Sequence, residues 1–95
     1  MLVGLVEDLT LKDVETRFLN WLIKRCPRDA TGEAVVKLSV TKRVLASELG
    51  TSSETLSRTF ARLREAKLLA VEGNAFRVRD VAAMTHRFRQ LLNES

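Results

Sequence analysis

The stretch "TKRVLASELGTSSETLSRTF", residues 41–60, contains two helix-start signals separated by a glycine. Thr41 can cap a first helix, and Gly50 can end it, because glycine readily adopts the left-handed conformation common at helix C-termini. Thr51 or Ser52 then begins a second helix after almost no loop. Two helices joined so tightly cross at a steep angle, which predicts a helix-turn-helix.

The second of these helices, expected over residues 51–66, has an apolar side and a polar side. Thr51 and Glu54 form the T-x-x-E pattern of a capping box, which offers a purely structural role for Glu54. Helical spacing predicts two inward-facing sets, namely Val44, Leu45 and Leu49 in the first helix and Leu56, Phe60 and Leu63 in the second. The same spacing puts Glu54, Ser57, Arg58 and Ala61 on the outward side of the second helix.

The flanking sequence predicts the remaining elements of a small α+β domain. Upstream, Thr10 can cap a helix that Pro27 ends, and "AVVKLSV" (34–40) has the β-branched content of a short strand. Downstream, "LLAVE" and "AFRVR" surround a Gly-Asn turn, and residues from Asp80 onward have helical spacing. The expected fold is mainly α with a small β-hairpin wing, a winged helix-turn-helix. We divide the chain into residues 1–9 (helix end or linker), 10–80 (the winged domain) and 81–95 (a C-terminal helix).

The positive charge of the chain is concentrated in its middle third. Residues 37–67 carry seven basic and three acidic residues, whereas the formal net charge of the whole chain is +4. A localised basic surface suggests a polyanionic partner, although scattered charge more commonly marks a solvated face. On the outward face, Glu54 can accept a hydrogen bond from a cytosine amino group, and Arg58 can donate to guanine or to a phosphate. The predicted partner is double-stranded DNA.

Other classes of function receive little support from the sequence. No apolar run approaches the roughly 20 residues needed to cross a bilayer, and the first residues lack the basic start of a secretion signal, so we expect a cytoplasmic protein without a membrane partner. The single cysteine, Cys26, allows neither an internal disulfide nor a cysteine-based metal site. The single histidine, His86, has no nucleophile placed to pair with it and is interpreted as a surface side chain. We therefore predict no catalytic residues, no metal site, no cofactor in this stretch and no enzymatic activity.

"LASELGTSSETLSRTFARLREAKLLAVEGNAFRV" (45–78) resembles the C-terminal DNA-binding domain of the Crp/Fnr family of bacterial transcription regulators. The shared pattern is L-x-x-x-L-G, a polar stretch, E-T-x-S/G-R, an apolar-spaced helix and a glycine-containing wing. The likeness extends back through "LTLKDVETRFLNWLIKR" and covers residues 9–79. The ETLSR version is similar to the Fnr-like and nitric-oxide-responsive branch, since the cyclic-AMP branch usually has arginine at Ser53 and glycine at Ser57. Lys67, where the family often has glycine, and Glu72, where wings commonly carry a basic or polar residue, depart from the pattern.

The resemblance implies a role for each matching residue. Glu54, Ser57 and Arg58 would read base edges in an inverted repeat resembling TTGA/TCAA, and four residues would hold phosphates: Thr41, Lys42, Ser52 and Thr55. The basic charge of Arg62 adds it to the phosphate set. The parent would be a homodimer whose central helix ends at residues 1–9, and the effector of its absent sensor domain is unknown.

Two alternatives stay open at this stage. A winged helix can also serve as a protein-interaction module without DNA specificity, because a shared fold does not fix function. Residues 27–34 match a region through which some relatives touch RNA polymerase, and they also suit an ordinary surface turn.

Overall fold

The computed structural model describes residues 2–27 and 29–93, with side chains described from residue 12 onward. Four helices and three strands follow one another in these residues. They are α1 (Leu2–Arg25), β1 (Ala34–Lys37), α2 (Lys42–Glu48), α3 (Ser53–Glu65), β2 (Leu69–Glu72), β3 (Ala75–Val78) and α4 (Val81–Asn93). This order confirms the predicted winged helix-turn-helix.

Helix α1 runs without interruption from Leu2 to Arg25. The prediction that Thr10 begins a new helix is therefore wrong, since Thr10 lies inside α1. Neither glycine nor proline occurs between residues 5 and 26, so no residue there forces the helix to end. The spacing of Leu2, Leu5, Val6 and Leu9 predicts an apolar helical seam, and these four side chains lie outside the described ones.

The helix-turn-helix itself begins and ends near the predicted residues. Thr41 caps α2, where its Oγ1 accepts a hydrogen bond from the Val44 amide at 3.2 Å. Gly50 has a φ of 73°, which confirms its left-handed stop. Helix α3, however, is capped by Ser52 and not by Thr51, because the Ser52 Oγ accepts from the Thr55 amide at 3.1 Å. The capping box of Thr51 and Glu54 is therefore wrong, and Glu54 is available for another role.

The three strands form one antiparallel sheet in the order β1-β3-β2. Strands β2 and β3 are the predicted hairpin, with Gly73 at a φ of 61° in its turn. Strand β1 is shorter than expected, ends at Lys37 and pairs with β3, so that Val36 lies opposite Phe76. The wing is thus a three-stranded sheet tied to the segment that leads into α2.

The core joins α1, α3 and the sheet through aromatic side chains. Phe18 of α1 is fully buried, and its ring centroid lies 5.1 Å from Phe60 of α3 and 5.3 Å from Phe76 of β3. The predicted inward residues Leu45, Leu49, Leu56, Phe60 and Leu63 are all buried. Val44 was also expected inside, but 43% of it is exposed, because α2 is short and buries only the side that faces α3. The recognition-type helix α3 is therefore held from behind by α1, α2 and the sheet.

Candidate nucleic-acid interface

The outward face of α3 carries the three predicted base-reading side chains. Glu54, Ser57 and Arg58 are all exposed, on the side opposite the buried Leu56, Phe60 and Leu63. Glu54 Oε1 accepts a hydrogen bond from Arg58 Nη2 at 2.9 Å, one helical turn away. An exposed pair of this kind contributes at most about 1 kcal/mol to stability. Its consequence is geometric: the pair holds an acceptor and a cationic donor side by side on the open face of the helix.

The predicted phosphate-binding hydroxyls lie at the starts of the two helices. The Ser52 hydroxyl accepts from the Thr55 amide and donates to Thr55 Oγ1 at 3.0 Å, so its own hydrogen is used inside the cap. In the α2 cap the Thr41 hydroxyl only accepts a hydrogen bond, and in its bond with Ser52 the Thr55 hydroxyl only accepts as well. Thr41 and Thr55 therefore keep a donor for a phosphate oxygen, whereas Ser52 is chiefly a cap. Lys42 is exposed in the first turn of α2.

The turn between α2 and α3 is fixed against α1 by Arg17. Its Nη1 donates to the Leu49 carbonyl at 2.9 Å, and its Nη2 pairs with Asp13 at 2.9 Å. A Cβ on Gly50 would come within 2.9 Å of Arg17 Nη1, the end of a long side chain that can shift, so the left-handed backbone is the main reason for glycine at this position. Arg17 thus adds a contact from α1 to the packing of α2 against α3 in setting the placement of the two helices.

Arg62, the last predicted phosphate contact, lies beside a buried acid that sequence reasoning missed. Glu15 of α1 is 0% exposed; its Oε2 accepts from Arg87 Nε of α4 at 2.8 Å, and its Oε1 lies 3.7 Å from Arg62 Nε. Glu15 shares helical spacing with Leu19 and Leu22, which was the available signal that it faces inward. The structure thus places Arg62 on the flank of α3 that faces α1, beside the open face with Glu54 and Arg58.

In the wing, two carboxylates balance the positive charge of an arginine. Arg77 of β3 donates to Glu72 Oε1 at 3.1 Å and to Glu33 Oε1 at 2.7 Å. The hydrogen bond to Glu72 and the charge of that carboxylate, followed by the same two effects of Glu33, raise the pKa of Arg77 above its ordinary value. Two carboxylates around one guanidinium leave little net positive charge at this place, consistent with the unusual acid Glu72 in the wing.

The other singled-out residues lie away from α3. His86 is exposed on α4. Cys26 is half-buried at the end of α1, and desolvation raises the pKa of its thiol, which lowers its reactivity. The loop that follows is anchored to α4, since the Val81 amide donates to the Gly32 carbonyl at 2.8 Å and the Ala82 amide to Thr31 at 3.2 Å. Among the described helices, none has an apolar stretch sufficient to cross a bilayer.

A helix-turn-helix with a short antiparallel wing and an exposed polar face on its second helix is the architecture found in many DNA-binding domains of transcription regulators. The family model of the Crp-like helix-turn-helix domain matches residues 16–87. The chain belongs to this family. No curated protein sequence gives a significant match.

Solved structures of Crp/Fnr regulators share the fold. A proposed cyclic nucleotide binding protein from Ruegeria pomeroyi DSS-3 is 32% identical with a TM-score of 0.72, over 80% of this chain and 33% of that one. DNR from Pseudomonas aeruginosa is 22% identical with a TM-score of 0.74, over 94% and 37%. The CO-dependent transcription factor CooA from Carboxydothermus hydrogenoformans is 18% identical with a TM-score of 0.68, over 86% and 39%. The chain thus spans about a third of the length of these structures.

Proposed function

We propose that α3 lies in the major groove of duplex DNA and reads base edges with Glu54, Ser57 and Arg58. The observation that carries the proposal is the exposed Glu54–Arg58 pair on the open face of α3. The carboxylate can accept from a cytosine amino group, while the guanidinium can donate to the O6 or N7 of a guanine. Ser57, three residues after Glu54 and directly before Arg58, can meet a thymine. Because no large apolar side chain occupies this face, DNA is favoured over a protein-interaction module.

Phosphate contacts would hold the helix in register. Thr41, Lys42 and Thr55 have exposed or half-exposed side chains near the starts of α2 and α3, and Ser52 fixes the first turn of α3. Arg62 extends this set along the flank of α3. Because Glu33 and Glu72 balance the charge of Arg77, we expect the wing to contribute little to phosphate binding. Base reading is therefore concentrated in one helix.

The proposed target is an inverted repeat with half-sites resembling TTGA and TCAA, bound by a homodimeric parent of the Fnr-like branch. A two-fold dimer presents two such helices about 34 Å apart on one side of the duplex, which requires a palindromic site. Selection of bound duplexes from a random pool with the 95-residue chain should enrich the half-site TTGA. Enrichment of TGTGA, or of no common core, would contradict this assignment.

The variant Glu54→Gln tests the role of the acid. We expect the preference at one G·C pair to weaken by about 1–3 kcal/mol, because the amide offers a poorer acceptor and its own donors tolerate other bases. The melting temperature should change little, since Glu54 caps nothing and its exposed ion pair contributes little. Competition binding against single-base variants of the selected half-site measures the preference.

Glu65→Gln is the matched control for this experiment. Glu65 is an exposed acid on the same helix, 11 residues later and so about 16 Å farther along the axis. The substitution Glu65→Gln changes the net charge by the same amount as Glu54→Gln and should leave the base preference unaltered. Equal effects of both substitutions would show that Glu54 acts only through overall charge.

The loop of residues 27–34 is the proposed contact for RNA polymerase. Asp29, Thr31 and Glu33 are exposed there, and the loop lies beside the start of α4. Reversing the charge of Asp29 should lower transcription in vitro without changing DNA affinity. A parallel loss of DNA affinity would contradict a polymerase contact.

A further inference from the structure

The buried Glu15 connects the DNA-facing helix to α4. Its carboxylate is inaccessible to solvent and faces one guanidinium from α3, that of Arg62, and one from α4, that of Arg87. A buried carboxylate must be compensated, because an isolated charge in the interior costs several kcal/mol. The three residues are separated widely in sequence, so only the folded chain brings them together.

The two arginines do not contact the acid equally. Arg87 Nε donates a hydrogen bond to Oε2 at 2.8 Å, whereas Arg62 Nε lies 3.7 Å from Oε1, which has no hydrogen-bond partner. Arg62 also remains 42% exposed. Arg87 can therefore compensate Glu15 without Arg62, whose side chain is partly open to solvent.

We propose that Arg87 is a positioning residue for DNA binding: by compensating Glu15, it leaves the guanidinium of Arg62 able to reach a backbone phosphate. Without Arg87, Arg62 would be the cation left facing the buried carboxylate among the side chains that the structure describes, and moving it to DNA would leave that charge uncompensated. The C-terminal helix would thus set the number of phosphate contacts made by α3. This inference rests on the proposed phosphate contact of Arg62.

The salt dependence of DNA affinity tests the inference, because it counts phosphate contacts. Binding of the 95-residue chain to a fluorescent random-sequence duplex is measured across a range of salt concentrations. Arg62→Gln should flatten the slope of log affinity against log salt by about one unit, and Arg87→Met should flatten it equally. One lost contact lowers affinity about eightfold at 0.1 M relative to 1 M salt. A variant that is merely less stable would lower the bound fraction without changing this slope.

Two further variants separate positioning from folding. Arg87→Lys keeps a cation for Glu15 and should retain the wild-type slope. Combining Glu15→Gln with Arg87→Met removes the buried charge, so the double variant should fold and regain the wild-type slope.

The failures are distinguishable. If Arg62→Gln flattens the slope and Arg87→Met does not, the inference is wrong and the proposed function stands. If Arg62→Gln leaves the slope unchanged, Arg62 touches no phosphate and the inference also falls. Binding by the wild-type chain that does not depend on salt would overturn the proposed DNA function itself.

Discussion

Lys67 adopts a left-handed backbone conformation that residues other than glycine disfavour. It has a φ of 60° directly after α3, where its amide donates to the Arg64 carbonyl at 2.9 Å and the Leu68 amide donates to Leu63 at 3.0 Å. Gly50 occupies the equivalent place after α2. Its amide donates to the Ser47 carbonyl, and the following Thr51 amide donates to the Ala46 carbonyl. Both helices end in a Schellman motif, but only one has the glycine that the left-handed conformation favours.

Replacing Lys67 with glycine should therefore stabilise the protein. The left-handed conformation costs a non-glycine residue roughly 1–2 kcal/mol, and the greater freedom of glycine when unfolded offsets part of the gain, so we expect an increase of about 0.5–1 kcal/mol in the free energy of unfolding. Urea denaturation measures it. Lys67→Ala is the control, since it removes the charge and keeps the strain; stabilisation by alanine as large as by glycine would contradict the backbone explanation.

At the scale of the element, the start of α3 depends on a single hydroxyl. Thr51, Ser52 and Ser53 are adjacent candidates, and Ser52 is the one whose Oγ accepts from the amide three residues on. Ser52→Ala should lower the free energy of unfolding by about 1 kcal/mol, while Ser53→Ala, exposed in the first turn, should have a much smaller effect. Thermal melts of the two variants provide the comparison. An equal loss in both would show that the caps exchange in solution.

The elements were predictable from sequence to the extent that local chemistry determines them. Thr41, Gly50 and the Gly-Asn turn mark boundaries by their own backbone and capping preferences, and Leu56, Phe60 and Leu63 mark a face by spacing. The capping-box pattern failed at Thr51 because neighbouring hydroxyls offer equivalent caps and only the path of the chain selects one. The prediction of a helix start at Thr10 was wrong because a residue type that favours N-caps can also occur inside a continuous helix.

The parts of the site that sequence could not reveal are contacts between distant segments. Glu15 meets Arg62 and Arg87, and Arg77 meets Glu33 across the sheet, through folding alone. Counting charges along the chain included Arg62 in the basic middle third and could not show that it lies beside the buried Glu15. The three proposed base readers, Glu54, Ser57 and Arg58, by contrast, lie on one exposed helix face that follows from spacing.

At the scale of the whole molecule, α1 organises the domain. Phe18 joins α3 and β3, Arg17 fixes the turn, and Glu15 reaches α4, so one helix touches α3, the sheet, the turn and the C-terminal helix. The same helix continues toward the N-terminus as far as Leu2. In the proposed parent this extension would belong to the dimerisation helix.

The isolated chain should be a monomer or a marginal dimer that occupies one half-site. The sequence offers Leu2, Leu5, Val6 and Leu9 as a dimer seam of about two helical turns, and four apolar residues are too few to form a stable coiled coil on their own. Sedimentation equilibrium at micromolar concentration should give the mass of one chain. A tight dimer at nanomolar concentration would contradict the expectation and would direct attention to α4, where Leu92 is half exposed. The variant Leu92→Lys would then decide between the two surfaces, because it would dissociate a dimer formed through α4 and leave one formed through the N-terminal seam intact.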